Sequence, residues 1–182
     1  AMVLNLVVER VNIVGAGNCI GGIVGYNRRG CILNSYATGS VSGARYVGGL
    51  VGYNLYGSVS NSHSTVAVAG SQYLGGLAGE NKSGHLSRCF WDIASSGQAT
   101  SAGGTGLTPV QMRNRNVFVA AGWDFIDESK NGTCEVWQML ADGSYPTLSV
   151  PTDAALPELD GEGTEDRPYQ LKTPQDLGMV WR

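Results

Sequence analysis

The chain has 182 residues, a formal net charge of -3 and only 15% charged residues. This balance excludes the basic stripe of a nucleic-acid-binding surface, so no nucleic-acid partner is expected. No apolar run approaches the roughly 18 residues of a membrane span, so none is predicted. Glycine stands out at 27 residues. Because these glycines recur at regular intervals, they indicate a repeated architecture.

The N-terminal residues predict an incomplete first turn of that repeat. Asn5 to Ile13 alternates in part between apolar and polar residues, as a strand does, and leads to Gly21. This stretch is two residues longer than its next copy, with 16 steps from Asn5 to Gly21 and 14 from Asn34 to Gly48. We therefore expect the sequence to open inside a turn.

Three copies of one glycine-rich pattern follow. Their first glycines lie at positions 21, 48 and 75, so the step is 27 residues both times. A fixed step of this size predicts stacked supersecondary units, with copies at residues 20–46, 47–73 and 74–92. The repeated seven-residue segments are Gly21-Gly22-Ile23-Val24-Gly25-Tyr26-Asn27, Gly48-Gly49-Leu50-Val51-Gly52-Tyr53-Asn54 and Gly75-Gly76-Leu77-Ala78-Gly79-Glu80-Asn81.

Each copy is predicted to contain three short strands, at Ile20–Val24, Cys31–Tyr36 and Gly39–Gly43 in the first copy. Asn27–Gly30 is predicted as a tight turn, since Asn and Gly tolerate a positive φ. Short strands in a 27-residue period predict an all-β fold, a right-handed parallel β-solenoid of about three to four rungs. A propeller blade is the main competitor, but it needs about 40 residues and four antiparallel strands.

Two columns of equivalent side chains are predicted to be structural. Asn27, Asn54 and Asn81 coincide, and stacked Asn side chains can form a hydrogen-bonded ladder along the axis. The second column is aromatic and consists of Tyr36, His63 and Phe90. His63 is therefore interpreted as a stacked filler and not as a ligand or a base.

A third column, Tyr26 and Tyr53 with Glu80 in the last copy, supplies the ligand-binding candidates. Their flat rings could stack on sugars if the column is exposed, or pack within the solenoid if it is buried. The cysteines, Cys19, Cys31, Cys89 and Cys134, form no CxxC pair, so no zinc site is predicted. Either disulfides or small buried fillers fit them.

The repeat ends after Cys89-Phe90-Trp91-Asp92, which places the solenoid at residues 1–107. Residues 108–150 predict a helix and a β-hairpin cap over the open end or the flank. Thr108 is the predicted helix N-cap, with Pro109 in the first turn, Gln111 completing a capping box, and Gly122 ending the helix. The hairpin would pair Trp123–Ile126 with Glu135–Met139 across Asn131-Gly132. Residues 151–182 predict a linker and the start of a further module.

The three glycine-rich copies, Asn34-Ser35-Tyr36-Ala37-Thr38-Gly39 and Cys89-Phe90-Trp91-Asp92 resemble the GLUG motif. That motif occurs in multiple copies in large bacterial surface and secreted proteins. The resemblance implies a parallel β-solenoid and a secreted or cell-surface, adhesin-like protein, and it supplies no catalytic residues. The third copy departs from the pattern at Ala78, Glu80 and Ser87-Arg88.

The search for chemistry gives no convergent catalytic group. Four carboxylates are the weak candidates for glycoside chemistry, and surface solvation is the simpler interpretation: Glu80, Asp92, Asp124 and Glu135. No cofactor or metal is predicted. We expect a non-enzymatic structural or adhesive module, with other modules, neighbouring copies and cell-surface glycans as the candidate partners. The alternatives are a carbohydrate-binding or carbohydrate-active solenoid and a subunit of a self-assembling extracellular filament.

Overall fold

A computed structural model describes residues 1–140 and 143–149. Ala1–Ser149 form one compact unit. The linker and further module predicted for residues 151–182 lie outside the described residues. No helix in the described part is long and apolar enough to cross a membrane.

The first 107 residues consist almost entirely of strands and one helical turn. In chain order these elements are β1 Met2–Leu4, β2 Val7–Val14, β3 Asn18–Gly21, β4 Val24–Arg28, β5 Cys31–Leu33, β6 Tyr36–Gly48, β7 Val51–Leu55, β8 Ser58–Ser60, β9 His63–Gly75, β10 Ala78–Lys82, β11 His85–Ser87, β12 Phe90–Asp92, α1 Ile93–Ser96 and β13 Thr105–Leu107. The later elements are α2 Pro109–Met112, α3 Arg115–Ala120, β14 Trp137–Gln138 and β15 Thr147–Leu148.

The strands stack into three parallel sheets, ordered β1-β5-β8-β11, β10-β7-β4 and β13-β12-β9-β6-β2. Equivalent residues of successive turns pair across each sheet, such as Val24 with Val51 and Val51 with Ala78. The offset is 27 residues, which is the period in the sequence. The predicted parallel β-solenoid is confirmed, with about three stacked turns.

Corners of the solenoid fall on residues with positive φ, and most of these are not glycine. They form three columns one turn apart: Arg29, Tyr56 and Ser83; Asn34, Asn61 and Arg88; Cys19, Tyr46 and Tyr73. A left-handed residue reverses the alternation of side chains, so the chain can turn while keeping its hydrogen bonds to the neighbouring turns. The predicted turn at Asn27–Gly30 and its copies contain the first column, whereas the sequence pattern did not mark the other two.

Several strand boundaries predicted from the sequence are wrong. The Gly-Gly pair lies at a bend between strands and not inside one, since β6 ends at Gly48 and β7 begins at Val51. A Cβ on Gly49 would collide with the Gly76 carbonyl and the Ser64 hydroxyl. Asn27 lies within β4, whereas the corner is at Arg29.

One of the two longest strands, β6, also differs from its prediction. β6 runs for 13 residues, from Tyr36 to Gly48, where the sequence had predicted one strand at Gly39–Gly43 and another from Val47. The left-handed Tyr46 bends the strand locally, and pairing resumes on both sides, with Arg45 opposite Gln72 and Val47 opposite Leu74. A single bent strand therefore replaces two short ones.

The longer first turn is accommodated where β2 and β3 pair with β6. The offset between paired residues is 29 from Val7 to Tyr36, 28 from Val11 to Gly39 and 27 from Asn18 to Arg45. One extra residue is absorbed in a bulge between Val8 and Val11, and the other between Val14 and Asn18. The two surplus residues counted in the sequence are thus removed before the chain reaches the first glycine pair.

The segment after residue 107 packs on the flank of the solenoid. Thr108 caps α2 with the predicted capping box, but a second cap at Asn114 divides the predicted helix into α2 and α3. Gly122 has φ +90 just beyond the end of α3. The two segments predicted as a hairpin do pair, through a bridge between Phe125 and Trp137, but the bridge is parallel, and the antiparallel partner of β14 is β15. Asn131 instead donates to the carbonyls of Val119 and Trp123.

Two apolar clusters result. The interior cluster fills the solenoid with side chains from all three sheets: Ile32, Ala37, Val41, Val47, Leu50, Val51, Val59, Val66, Val68, Leu77, Cys89 and Trp91. The lateral cluster joins the outer face of the solenoid to the later segment: Tyr36, Phe90, Leu107, Met112, Phe118, Trp123, Phe125 and Trp137. Of the two positions expected for the later segment, the open end or the flank, its side chains in this cluster occupy the flank.

Candidate functional site

The asparagine column lies inside the solenoid, where it connects the turns. The Asn27 amide donates to Asn54 Oδ1 at 2.8 Å, and the Asn54 amide donates to Asn81 Oδ1 at 2.8 Å. Each amide also donates to the carbonyl three residues ahead, at Gly30, Gly57 and Gly84 respectively. Asn54 is fully buried, so its polar atoms are paired without water.

The glycines that follow the asparagines provide the space for this ladder. A Cβ on Gly57 would overlap the amides of both Asn27 and Asn54, and one on Gly84 would overlap those of Asn54 and Asn81. The Asn-x-x-Gly spacing is therefore a packing requirement. The predicted tight turn is also present, but the positive φ falls on Arg29, Tyr56 and Ser83 and not on the Asn or Gly residues.

The aromatic column of Tyr36, His63 and Phe90 lies outside the solenoid wall and is covered by residues 108–149. The rings of Tyr36 and His63 stack with centroids 4.8 Å apart and planes 5° from parallel. Phe90 pairs with His63 in the register and contacts Trp123, at a centroid distance of 5.7 Å. Tyr36 donates from its hydroxyl to Glu9 Oε1 at 3.0 Å.

His63 is the ring that is most enclosed in this column. Its Nε2 lies 2.9 Å from the Pro146 carbonyl oxygen, and Trp123 and Trp137 pack beside it at 6.1 and 5.8 Å. Burial lowers the pKa of His63 to about 4, because an imidazolium would lose its hydration in this apolar enclosure. At neutral pH the ring is uncharged and Nε2–H donates to Pro146.

Asp92 links the end of the solenoid to the later segment. Its Oδ1 caps α1 by accepting from the Ala94 amide, and its Oδ2 accepts from the hydroxyls of Ser95 and Tyr145 at 2.5 and 2.6 Å. Burial and the bond to Asp92 raise the pKa of Tyr145 to about 12. Sequence reasoning placed Asp92 among the possible catalytic carboxylates, but its oxygens serve as hydrogen-bond acceptors between elements.

Four tyrosines, of which Tyr26 and Tyr73 are exposed, form a separate cluster on another corner of the solenoid. Tyr26 and Tyr53 stack at 5.4 Å, Tyr53 meets Tyr46 edge-on at 5.0 Å, and Tyr46 lies 4.9 Å from Tyr73. The guanidinium of Arg45 lies 4.5 Å from the Tyr46 ring centroid and 4.8 Å from that of Tyr73. We call these five residues the tyrosine corner. The sequence analysis identified Tyr26 and Tyr53 as binding candidates but missed Arg45.

A second interior column was also missed. Ser35, Ser62 and Cys89 are 27 residues apart, and their side chains satisfy backbone groups at one corner. The Ser62 hydroxyl accepts from the Ser35 amide and donates to the Ser60 carbonyl. The Cys89 thiol occupies the equivalent place and lies 3.2 Å from the Ser87 carbonyl. The shared spacing was the signal that could have revealed this column.

The remaining candidates do not come together. All four cysteines are free, and burial raises the pKa of Cys89 to about 12. The Cys134 amide donates to Asp124 Oδ2 at 2.9 Å. Within residues 1–140 and 143–149, no three His, Cys, Asp or Glu side chains are grouped so as to hold a metal ion.

Comparison with protein families agrees with the repeat geometry. Residues 16–42 and 43–69 each match the family model of the GLUG motif. The chain carries GLUG-motif repeats. Each matched GLUG copy is 27 residues long, which is the length of one solenoid turn. The third turn, with Glu80 and Arg88, lies beyond the matched GLUG copies. No curated protein and no solved structure gives a significant match.

Proposed function

We propose that this GLUG-repeat solenoid is a structural and adhesive module of a large, exported, repetitive bacterial protein, and that it is not an enzyme. The proposal rests mainly on the buried Asn27–Asn54–Asn81 ladder, because it ties each turn to the next at a fixed spacing. A stack held in this way is a rigid support whose outer surface can vary. Surface-protein families that carry the same motif support export.

The structural part of the proposal is tested by removing one whole turn. Deletion of residues 43–69 joins Ser42 to Gly70, and Gly70 is the register partner of Gly43. A modular support should retain its β-sheet circular dichroism and cooperative unfolding, because every remaining strand finds an equivalent neighbour. A control deletion of residues 43–55 removes about half a turn and should abolish folding. Loss of folding in both variants would contradict a modular stack.

Export is tested in the natural host with an antibody raised against residues 1–149. Labelling of intact cells, abolished by external protease, is the expected result. Labelling only after permeabilisation would refute a surface location. Separately, polysaccharide hydrolysis by the purified chain, lost on Asp124→Asn substitution, would refute the non-enzymatic assignment and favour the carbohydrate-active alternative.

Self-assembly is a second candidate function, favoured by the N-terminal end of the stack. Among the described residues, β1, β2 and β4 each have one edge without a strand partner. The same end exposes large apolar side chains: Met2, Leu4, Leu6, Val7, Ile13, Val14 and Tyr26. Open edges with apolar side chains promote pairing between chains. A second copy of this chain, or a preceding turn of the same chain, would continue the rung-on-rung contact at such an edge.

Light scattering across a concentration series tests this candidate. Val14→Lys places a charge on the open end, where Val14 is 81% exposed, whereas Val110→Lys places one on α2, where Val110 is 78% exposed. Concentration-dependent assembly should be suppressed by the first substitution and not by the second. A wild-type chain that stays monomeric at millimolar concentration would exclude this function for the isolated module.

A further inference from the structure

The tyrosine corner is not explained by the packing of the solenoid. Tyr46 and Tyr73 occupy one corner position in successive turns, and Cys19 occupies the same position in the turn before. All three have positive φ, between +54 and +62. Because a cysteine makes the same corner, the backbone does not require an aromatic ring there.

The other half of the corner is equally dispensable for the fold. Tyr26 and Tyr53 pair in register, and Glu80 takes the next place in the column. A carboxylate is thus accepted where the two rings stack. The fold therefore does not require the rings at this corner, since a thiol or a carboxylate occupies the equivalent positions in other turns.

The rings form a partly exposed aromatic surface, in which Tyr46 stands edge-on to Tyr53. Tyr26 is 49% exposed and Tyr73 is 48% exposed, and the two lie at opposite ends of the cluster. Large aromatic side chains contribute strongly to recognition, because each offers a broad apolar face with few rotatable bonds. Contiguous apolar patches with a polar rim are characteristic of binding surfaces.

The rim of this surface is polar and of both charge signs. In the parallel register, Asn18 and Gln72 lie on either side of Arg45, and Glu80 lies next to Tyr53. Amide, carboxylate and guanidinium groups donate to and accept from hydroxyl groups in fixed directions. Arg45 and Glu80 balance each other in charge, so the surface does not select an anion.

We propose that the tyrosine corner binds a neutral oligosaccharide, whose C–H faces pack on the rings and whose hydroxyls bond to Arg45, Glu80 and the neighbouring amides. The inference rests on the proposed adhesive role and specifies its ligand class. Neighbouring turns of a β-solenoid are about 4.8 Å apart. The corner extends over three of them, so a chain of several sugar residues can contact more than one turn.

The test uses the full 182-residue chain and isothermal titration with soluble hexasaccharides. The neutral probes are a β-glucan and a mannan hexasaccharide, and an oligogalacturonate of the same length is the charged probe. We expect binding of at least one neutral probe. The double variant Tyr26→Ala/Tyr73→Ala should weaken that binding at least about tenfold, since aromatic anchors dominate such contacts.

Tyr56→Ala is the matched control. Tyr56 is 54% exposed and lies under a guanidinium, that of Arg29 at 5.9 Å, but it is outside the tyrosine corner. Its removal should leave the affinity within about twofold. Thermal unfolding of each variant is recorded beside the titration, so that loss of affinity is separated from loss of fold.

Three results would overturn the inference. They are no binding of either neutral hexasaccharide at millimolar concentration, binding of the oligogalacturonate alone, and equal weakening by Tyr56→Ala. The intact-cell labelling experiment judges the surface location independently. A chain that is surface-exposed yet binds no saccharide therefore rejects this inference and leaves the proposed location standing.

Discussion

Two groups of aromatic residues recur along this solenoid with the same 27-residue spacing and have opposite environments. Tyr36, His63 and Phe90 are buried beneath residues 108–149, whereas Tyr26 and Tyr73 stay about half exposed. Repetition therefore sets the spacing of side chains, and the non-repeating segment decides which column becomes core and which remains surface. This difference can be tested by substitutions that uncover the buried column, and by separate substitutions within each column.

The largest loss of stability should come from removing a side chain that covers the buried aromatic column. Trp123 is fully buried and contacts His63, Phe90, Phe118 and Trp137. Trp123→Ala should lower the free energy of unfolding by about 3 to 5 kcal/mol, because it leaves a large cavity between the two layers.

Urea denaturation followed by fluorescence of the remaining tryptophans measures this loss. Tyr26→Ala is the control from the exposed column and should cost about 1 kcal/mol or less. Equal losses in the two variants would show that the burial of the two columns does not differ in solution.

The asparagine ladder extends the comparison to a column that is covered by its own neighbouring turns. Asn54→Ala should cost about 3 kcal/mol, since it leaves Asn27 a donor and Asn81 an acceptor without their buried partners. Asn81→Ala is the matched change at the end of the ladder and should cost about 1 kcal/mol, because only one ladder bond is broken. Chemical denaturation of both variants checks the difference, and a larger loss at Asn81 would contradict the ladder.

A change of pH should affect the buried column through His63. Its pKa is about 4 in the folded chain and about 6.5 when unfolded, so the unfolded state binds the proton between these values. The contribution of the neutral His63 to the free energy of unfolding is therefore complete above about pH 6.5 and falls as the pH is lowered toward 4. The loss between pH 7.5 and pH 5 should be about 2 kcal/mol.

The control replaces His63 with Phe, the residue that occupies this column in the next turn. His63→Phe should remove most of the loss between pH 7.5 and pH 5 in urea denaturation, whereas His85→Ala, at the other histidine, should leave it unchanged. If His63→Phe retains the full pH dependence, the loss arises from other groups.

The smallest effect concerns the single bond from Asp92 to the covering segment. Tyr145→Phe removes the hydroxyl that donates to Asp92 Oδ2, while Ser95 and the Ala94 amide still bind the carboxylate. We expect a loss of about 1 kcal/mol and faster amide hydrogen exchange in α1. Tyr56→Phe is the control for removal of an exposed hydroxyl, and equal exchange rates in the two variants would contradict this role for Tyr145.

The stack itself could be predicted from the sequence because its information is local and repeated. Gly21, Gly48 and Gly75 revealed the period, and the period alone aligned Asn27 with Asn54 and Tyr36 with His63. The positions of the corners were not accessible in the same way. The predicted turn at Asn27–Gly30 contains one of them, at Arg29, but Tyr46 adopts positive φ because stacked neighbours hold it there, so intrinsic preferences gave no indication of that bend.

The covering segment was less predictable, since it is specified once and by distant contacts. The capping box at Thr108 is local and was identified correctly. Trp137 does meet the predicted segment, but in a parallel bridge with Phe125. Its antiparallel partner strand lies at Thr147–Leu148, and Asn131 binds back to α3 in place of a hairpin turn. Neither of these two contacts leaves a mark in the adjacent sequence. For the same reason, the exposure of Tyr26 and the position of the Arg45 guanidinium against the rings of Tyr46 and Tyr73 required the structure.

The bulge in β2 has a consequence for how genes of this kind change. The first turn has two surplus residues, and both are absorbed on the sheet that contains the long strands β6 and β9. The other two sheets, with their shorter strands, and the asparagine ladder keep their alignment. Unequal recombination between repeats that are not identical in length should then still yield a foldable product. We expect natural variants to differ by whole copies of the repeat, or by a few codons confined to the sheet that contains β6 and β9.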